Sequence, residues 1–237
     1  MSAKTSGGSD AHKRRAGERA AEDVEDGMVV GLGTGSTTAY AIEALGRAIE
    51  DGLEIQGIPT SFQSRQLALE VGIPLTELDA VEEVGLAIDG ADQVVDNPEV
   101  GAHGALIKGG GAAHTREKVV AASADRFVVV ADPSKLVSAL EAPVPVEVIP
   151  AAQTLVAERV RELGGDPVLR SATHKDGPVV TDNGNLVLDC AFGVIEDPEA
   201  LGEALGTVPG VLEHGLFVGM ADATYVGVDG GLEVRSY

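Results

Sequence analysis

The sequence predicts an α/β protein: a Rossmann-like parallel-sheet domain (residues 1–141 and 219–237) carrying an inserted, smaller ferredoxin-like α+β domain (residues 142–218). Three observations carry this expectation. Apolar, non-alternating strand runs alternate with helical periodicities through the first half, the pattern of parallel strands covered on both faces. Beyond Ala142-Pro-Val-Pro145 the order becomes β-α-β-β-α-β, that of a ferredoxin-like unit. The last residues then form a hairpin around Asp229-Gly-Gly231 and return to the first domain.

Residues 10–25 are polar and alanine-rich, broken only by Gly17, and read as a helix. Residues 28–32 read as a buried strand ending in a glycine turn. Residues 37–51 have helical periodicity through Ile42, Leu45 and Ile49. A strand is expected at 53–58 and a helix at 61–71 with Ser61 as its cap. A strand at 84–88, a helix at 115–124 and a strand at 126–131 complete the first half. The inserted domain reads as strand 144–149, helix 151–163, strand 167–170, strand 186–190, helix 197–205 and strand 211–217. Asn183-Gly184 lies in a hairpin-like setting before the 186–190 return strand. Strands at 223–228 and 232–234 form the final hairpin.

Composition narrows the function. The chain has 237 residues, 44% of them hydrophobic, enough to bury one large core or two modest ones. No apolar stretch approaches the roughly 18–20 residues of a membrane span. Met1 to Asp10 lacks the apolar run of a signal peptide and reads as a short disordered tail, so a cytoplasmic protein is expected. The single cysteine, Cys190, excludes an internal disulfide. It lies in the apolar run Leu186-Val-Leu-Asp-Cys-Ala-Phe192, as a packed core thiol rather than a nucleophile. The net charge of −21 argues against a nucleic-acid partner, because phosphate neutralisation needs basic patches. The carboxylates are spread along the chain, as in an acidic surface suited to high salt, where self-repulsion is screened, or in an ordinary acidic cytosolic protein.

Four polar clusters follow strands of the first domain, where open α/β sheets bind their ligands. All four are expected to converge on one cleft. Gly31-Leu-Gly-Thr-Gly-Ser-Thr37 joins a strand to a helix. It lacks the third glycine of a dinucleotide fingerprint and the lysine of a Walker loop. Phosphate binding at the helix N-terminus and a simple capped turn both remain open. Asp89-Gly-Ala-Asp92 sets two carboxylates at a strand end, to hold sugar hydroxyls or to form a solvated turn. Lys108-Gly-Gly-Gly-Ala-Ala-His-Thr-Arg-Glu-Lys118 combines a cation, a glycine nest for an oxyanion and a candidate base, Glu117. A helix N-terminus lowers the pKa of such a carboxyl, and burial raises it. Ala131-Asp-Pro-Ser-Lys135 offers a lysine for a phosphate, or a solvated turn. His12, His103, His114, His174 and His214 form no metal-ligand spacing, and no metal or cofactor is expected.

Together these clusters closely resemble the ribose-5-phosphate isomerase family of the A type. The likeness extends to Pro145-Val-Glu-Val-Ile-Pro150, Val180-Thr-Asp-Asn-Gly-Asn185 and Pro209-Gly-Val211, in order along nearly the whole chain. The resemblance implies metal-free proton transfer between ribose 5-phosphate and ribulose 5-phosphate through an enediol. It implies that Glu117 is the base and that Asp89, Asp92 and Lys108 handle the sugar oxygens and ring opening. It assigns Thr34, Gly35, Ser36 and Thr37 to the substrate loop. Gly90, Ala91, Gly109, Gly110, Gly111 and Lys135 fall in the substrate-binding motifs, and Lys13 takes the place of a lysine that approaches the phosphate. One departure is Gln93, where an acidic residue often follows the Asp-Gly-Ala-Asp motif. A homodimer or homotetramer acting on a small sugar phosphate is expected. The rival readings are a non-catalytic sugar-phosphate sensor, an amino-sugar-phosphate deaminase and a CoA transferase.

Overall fold

The structure is a computed structural model that describes residues 8–97 and 103–237. Its elements, in chain order, are α1 (Asp10–Ala21), β1 (Val29–Leu32), α2 (Ser36–Glu50), β2 (Gln56–Pro59), α3 (Phe62–Glu70), β3 (Leu86–Gly90), β4 (Gln93–Val95) and β5 (Leu106–Ile107). There follow α4 (His114–Ser123), β6 (Phe127–Ala131), β7 (Leu136–Val137), β8 (Val144–Val148), α5 (Gln153–Glu162), β9 (Asp166–Leu169) and β10 (Leu186–Ala191). The chain ends with α6 (Pro198–Gly206), β11 (Val211–His214), β12 (Leu216–Phe217), β13 (Ala223–Val228) and β14 (Gly231–Ser236). The elements group into two units. The parallel-sheet unit comprises the described residues of Gly7–Ala91, Arg116–Leu136 and Met220–Tyr237; the other comprises those of Asp92–Thr115 and Val137–Gly219.

The parallel-sheet unit is built on a six-stranded sheet ordered β14-β13-β6-β3-β1-β2. Every pair is parallel except β13 with β14, the expected terminal hairpin. Side chains of a strand alternate between faces. Val30 and Leu32 point into a core with Ala41, Ile42 and Leu45 of α2 and Ala16 and Ala20 of α1. Gly31 faces the other way, and a Cβ there would come within 2.5 Å of Val120 on α4. Both faces of the sheet are therefore covered, which is why its strands read as continuous apolar runs. The Ser61 cap forms as a full capping box with Ser64 at the start of α3. The first helix stops at Ala21, short of the expected 25. Beyond it Asp23 turns to accept hydrogen bonds from Arg19, Arg126 and Tyr225. The expected tail at 1–10 lies outside the described residues as far as residue 7; Ser9 caps α1 through its hydroxyl.

The second unit holds an antiparallel sheet ordered β11-β8-β10-β9. In the chain order of its strands this is fourth, first, third, second, the ferredoxin-like arrangement. Val144, Val146 and Val148 of β8 meet Val156 and Val160 of α5 and Leu205 of α6 in its core. Cys190 belongs to that core; burial, with a smaller contribution from Asp189, pushes its thiol up to about 12. Asn183 and Gly184 form a turn closed by the Val180–Leu186 bridge, with Gly184 at φ 84°.

Two features of this unit differ from expectation. Residues 92–115, outside the expected 142–218, pack with it, because β4 pairs with β5 and β5 with β12. The expected 211–217 strand is two strands in two sheets, broken at Gly215. A Cβ at 215 would lie 2.2 Å from the Lys108 carbonyl oxygen, so only glycine lets the chain cross there. Among the described residues no helix is long and apolar enough to cross a membrane.

Candidate active site

In the parallel-sheet unit, the loop after β1 is shaped by the carboxylate at the end of β3. Asp89 Oδ1 accepts from the Thr34 N–H at 2.9 Å and the Gly90 N–H at 2.7 Å. A Cβ on Gly33 would sit 2.1 Å from Asp89 Cγ, so the glycine makes room for that side chain. The Thr34 hydroxyl donates to Ser61 Oγ at 2.6 Å and lies 2.9 Å from Thr60 Oγ1. α2 then starts without a side-chain cap on Gly35 and without an acidic residue in its first turn. Its leading N–H groups and dipole thus favour an anion beside Ser36 and Thr37.

Glu117 lies in the first turn of α4 with 5% of its surface exposed. Lys135 ends a short helical turn in which Asp132 Oδ1 accepts from the Ser134 N–H at 2.9 Å. Lys13 lies on the buried side of α1, with Ala16, Gly17 and Ala20.

The Asp89-Gly-Ala-Asp92 motif is divided: Asp89, Gly90 and Ala91 belong to the parallel-sheet unit and Asp92 to the other. There, Asp92 Oδ2 accepts from the Gly110 N–H at 2.8 Å. Lys108 is 2% exposed, with its ammonium 5.4 Å from the centre of the Phe217 ring. That cation–π contact offsets part of the cost of burying the charge. Gly109, at φ 105°, lies so close to His114 that a Cβ would meet Nδ1 at 2.7 Å. Arg170 reaches the same loop and donates through Nη1 to the carbonyls of Gly109 and Gly110 at 2.9 and 3.3 Å. Behind it, Asp189 accepts from Arg170 Nε and Nη2.

The structure thus brings Thr34, Asp89 and Gly90 together in one unit, and Asp92, Lys108, Gly109 and Gly110 in the other. Sequence reasoning missed Thr60, Phe217, Arg170 and Asp189, and saw Ser61 only as a cap. Thr60 and Ser61 follow a strand as the four clusters do, so the rule of strand ends contained their signal. Arg170 had none: it acts on a loop 61 residues away in sequence. Among the described residues, no group of three or more His, Cys, Asp or Glu side chains is placed to hold a metal ion.

The family model for ribose 5-phosphate isomerase A (phosphoriboisomerase A) matches residues 56–231, which include Asp89, Asp92, Lys108, Glu117 and Lys135. Ribose-5-phosphate isomerase A of Haloarcula marismortui is 64% identical over 97% of both chains. That of Halorubrum lacusprofundi is 63% identical over 98% of both. The solved ribose 5-phosphate isomerase A of Methanocaldococcus jannaschii superposes with a TM-score of 0.89 at 44% identity, covering 95% of this chain and 98% of that one. A second solved D-ribose-5-phosphate isomerase, 43% identical with a TM-score of 0.90 and covering 95% of this chain and 97% of its own, is in complex with phospho-erythronic acid. Matched by the family model over residues 56–231, by relatives along nearly its whole length and by solved structures of the same fold, the chain belongs to the ribose 5-phosphate isomerase A family.

Proposed function

We propose that the chain interconverts ribose 5-phosphate and ribulose 5-phosphate by proton transfer through an enediol, without a metal ion. Glu117 takes the proton from C2 of the open-chain aldose, and the negative charge moves to O1. A proton passes from O2 to O1, and Glu117 returns its proton to C1, leaving the ketose. Asp89, Asp92 and Lys108 open the ring and hold the sugar oxygens, and the Gly109–Gly111 amides stabilise the enediolate. Thr34, Gly35, Ser36 and Thr37, with Gly90 and Ala91, line the substrate loop, and Lys135 and Lys13 attract the phosphate. The observation that carries the proposal is the family match across every proposed catalytic residue. The enzyme acts in the cytoplasm as a homodimer or homotetramer.

A direct assay of ribose 5-phosphate conversion separates this enzyme from a sugar-phosphate sensor, which binds but does not turn over. Glu117→Gln is expected to fold and bind substrate nearly as wild type while losing about 10²–10⁴-fold in kcat, the usual worth of a positioned general base. No conversion by the wild type would defeat the function. Full conversion by a folded Glu117→Gln would remove Glu117 from its role.

A further inference from the structure

We propose that Arg170 is a positioning residue for the reaction: locked by Asp189, it holds the carbonyls of Gly109 and Gly110 and thereby keeps the Gly110 N–H on Asp92 and turns the Gly111 N–H toward the developing oxyanion. The proposal rests on the assignment of Lys108–Gly111 to the substrate. Arg170 and Asp189 are both nearly buried, with 8% and 13% of their side chains exposed. A pair that only tied the residue after β9 to β10 would be complete with the Nε and Nη2 bonds to Asp189. Here the third nitrogen is spent on two successive glycine carbonyls. Arginine suits this task because its planar fork fixes all three directions at once.

The consequence follows from peptide planarity. In a trans peptide the carbonyl and the next N–H point in opposite directions. A Gly109 carbonyl turned to Arg170 sends the Gly110 N–H away from it, and that N–H is the one that donates to Asp92. A Gly110 carbonyl turned the same way sends the Gly111 N–H away from Arg170 as well. The cationic fork also polarises both peptides and strengthens their N–H groups as donors.

The loop needs such a hold. Gly109 O closes a turn with the Ala112 N–H at 2.9 Å, and Ala112 sits at φ 61°, a left-handed conformation that alanine seldom adopts. Arg170 on one side and Asp92 on the other keep the turn in that shape. Because the oxyanion develops along the reaction, a loosened loop lowers kcat more than it raises KM.

Arg170→Ala alone would leave Asp189 buried and unpaired, so the test uses Arg170→Met/Asp189→Leu. Apolar replacement of a buried ion pair is often tolerated by the fold. The double variant is expected to melt as a folded protein. Its kcat is expected to fall about 10–100-fold, somewhat less than removal of one oxyanion donor costs, with KM changed less than about threefold. Arg170→Lys keeps the charge and loses the fork; its kcat is expected to fall as well. Wild-type kcat in the folded double variant would overturn the proposal. If that variant does not fold, wild-type kcat in Arg170→Lys would do the same. Glu117→Gln run in parallel separates the two assignments: its inactivity beside an active double variant sinks Arg170 alone, whereas its full activity sinks the site.

Discussion

Burial of charge is the informative feature at the residue scale. Half of the six lysines, Lys108, Lys118 and Lys135, fall in one stretch of an otherwise acidic chain. Lys108 and Lys13 are buried, at 2% and 8% exposure, where an ammonium needs a reason to stay. Lys108 stood out because cations are scarce and it adjoins a glycine loop, Lys135 because it follows a strand end, and Lys13 only through the family resemblance. The long-range partners Phe217 and Arg170 did not, because nothing in their own neighbourhoods marks them. Lys135→Ala and Lys13→Ala are expected to raise KM more than they lower kcat, since each is proposed to meet the phosphate and not the reacting carbons. Steady-state kinetics of both variants check this; a pure kcat loss in both would place these lysines at the chemistry.

At the scale of elements, long strands and helices showed in the sequence and short or interrupted ones did not. The three residues of β4 and two of β5 are too few to show a period. The break at Gly215 was hidden because apolar residues continue through it; only the approach of Lys108 reveals it. β8 carries the wholly buried Glu147, whose carboxylate accepts from Thr115, Thr181, Asn183 and Asn185. Burial raises its pKa, but the hydrogen bonds from Thr115, Asn185, Thr181 and Asn183 outweigh it and hold the carboxyl below its ordinary 4.5. A depressed folded pKa contributes stability above the unfolded value and loses it as pH falls through the folded one. Glu147→Gln is therefore expected to melt below wild type at pH 7, with the gap closing as pH drops below 4.5. Thermal melts across that range check it; a gap that widens on acidification would contradict the pairing.

For the whole molecule, the alternation of buried strands and helices, then the β-α-β-β-α-β order, made the six-stranded sheet and the β11-β8-β10-β9 sheet legible in the sequence. The packing of residues 92–115 with the second unit was not, because it depends on β5 pairing with β12, which lies far along the chain, and on the short β4 that pairs with β5. The net charge of −21 sets a field that repels a phosphate dianion, so local cations and helix N-termini must outweigh it. The chemistry proposed for this chain uses fixed cations and N–H donors where a metal-dependent isomerase would use an ion. The most direct test is to run the reaction in D₂O after exhaustive chelation and to follow the product by NMR. The account predicts undiminished turnover of ribose 5-phosphate, with solvent deuterium, in part or in full, at C1 of the ribulose 5-phosphate. Activity abolished by chelation and restored by a stoichiometric divalent ion would contradict it.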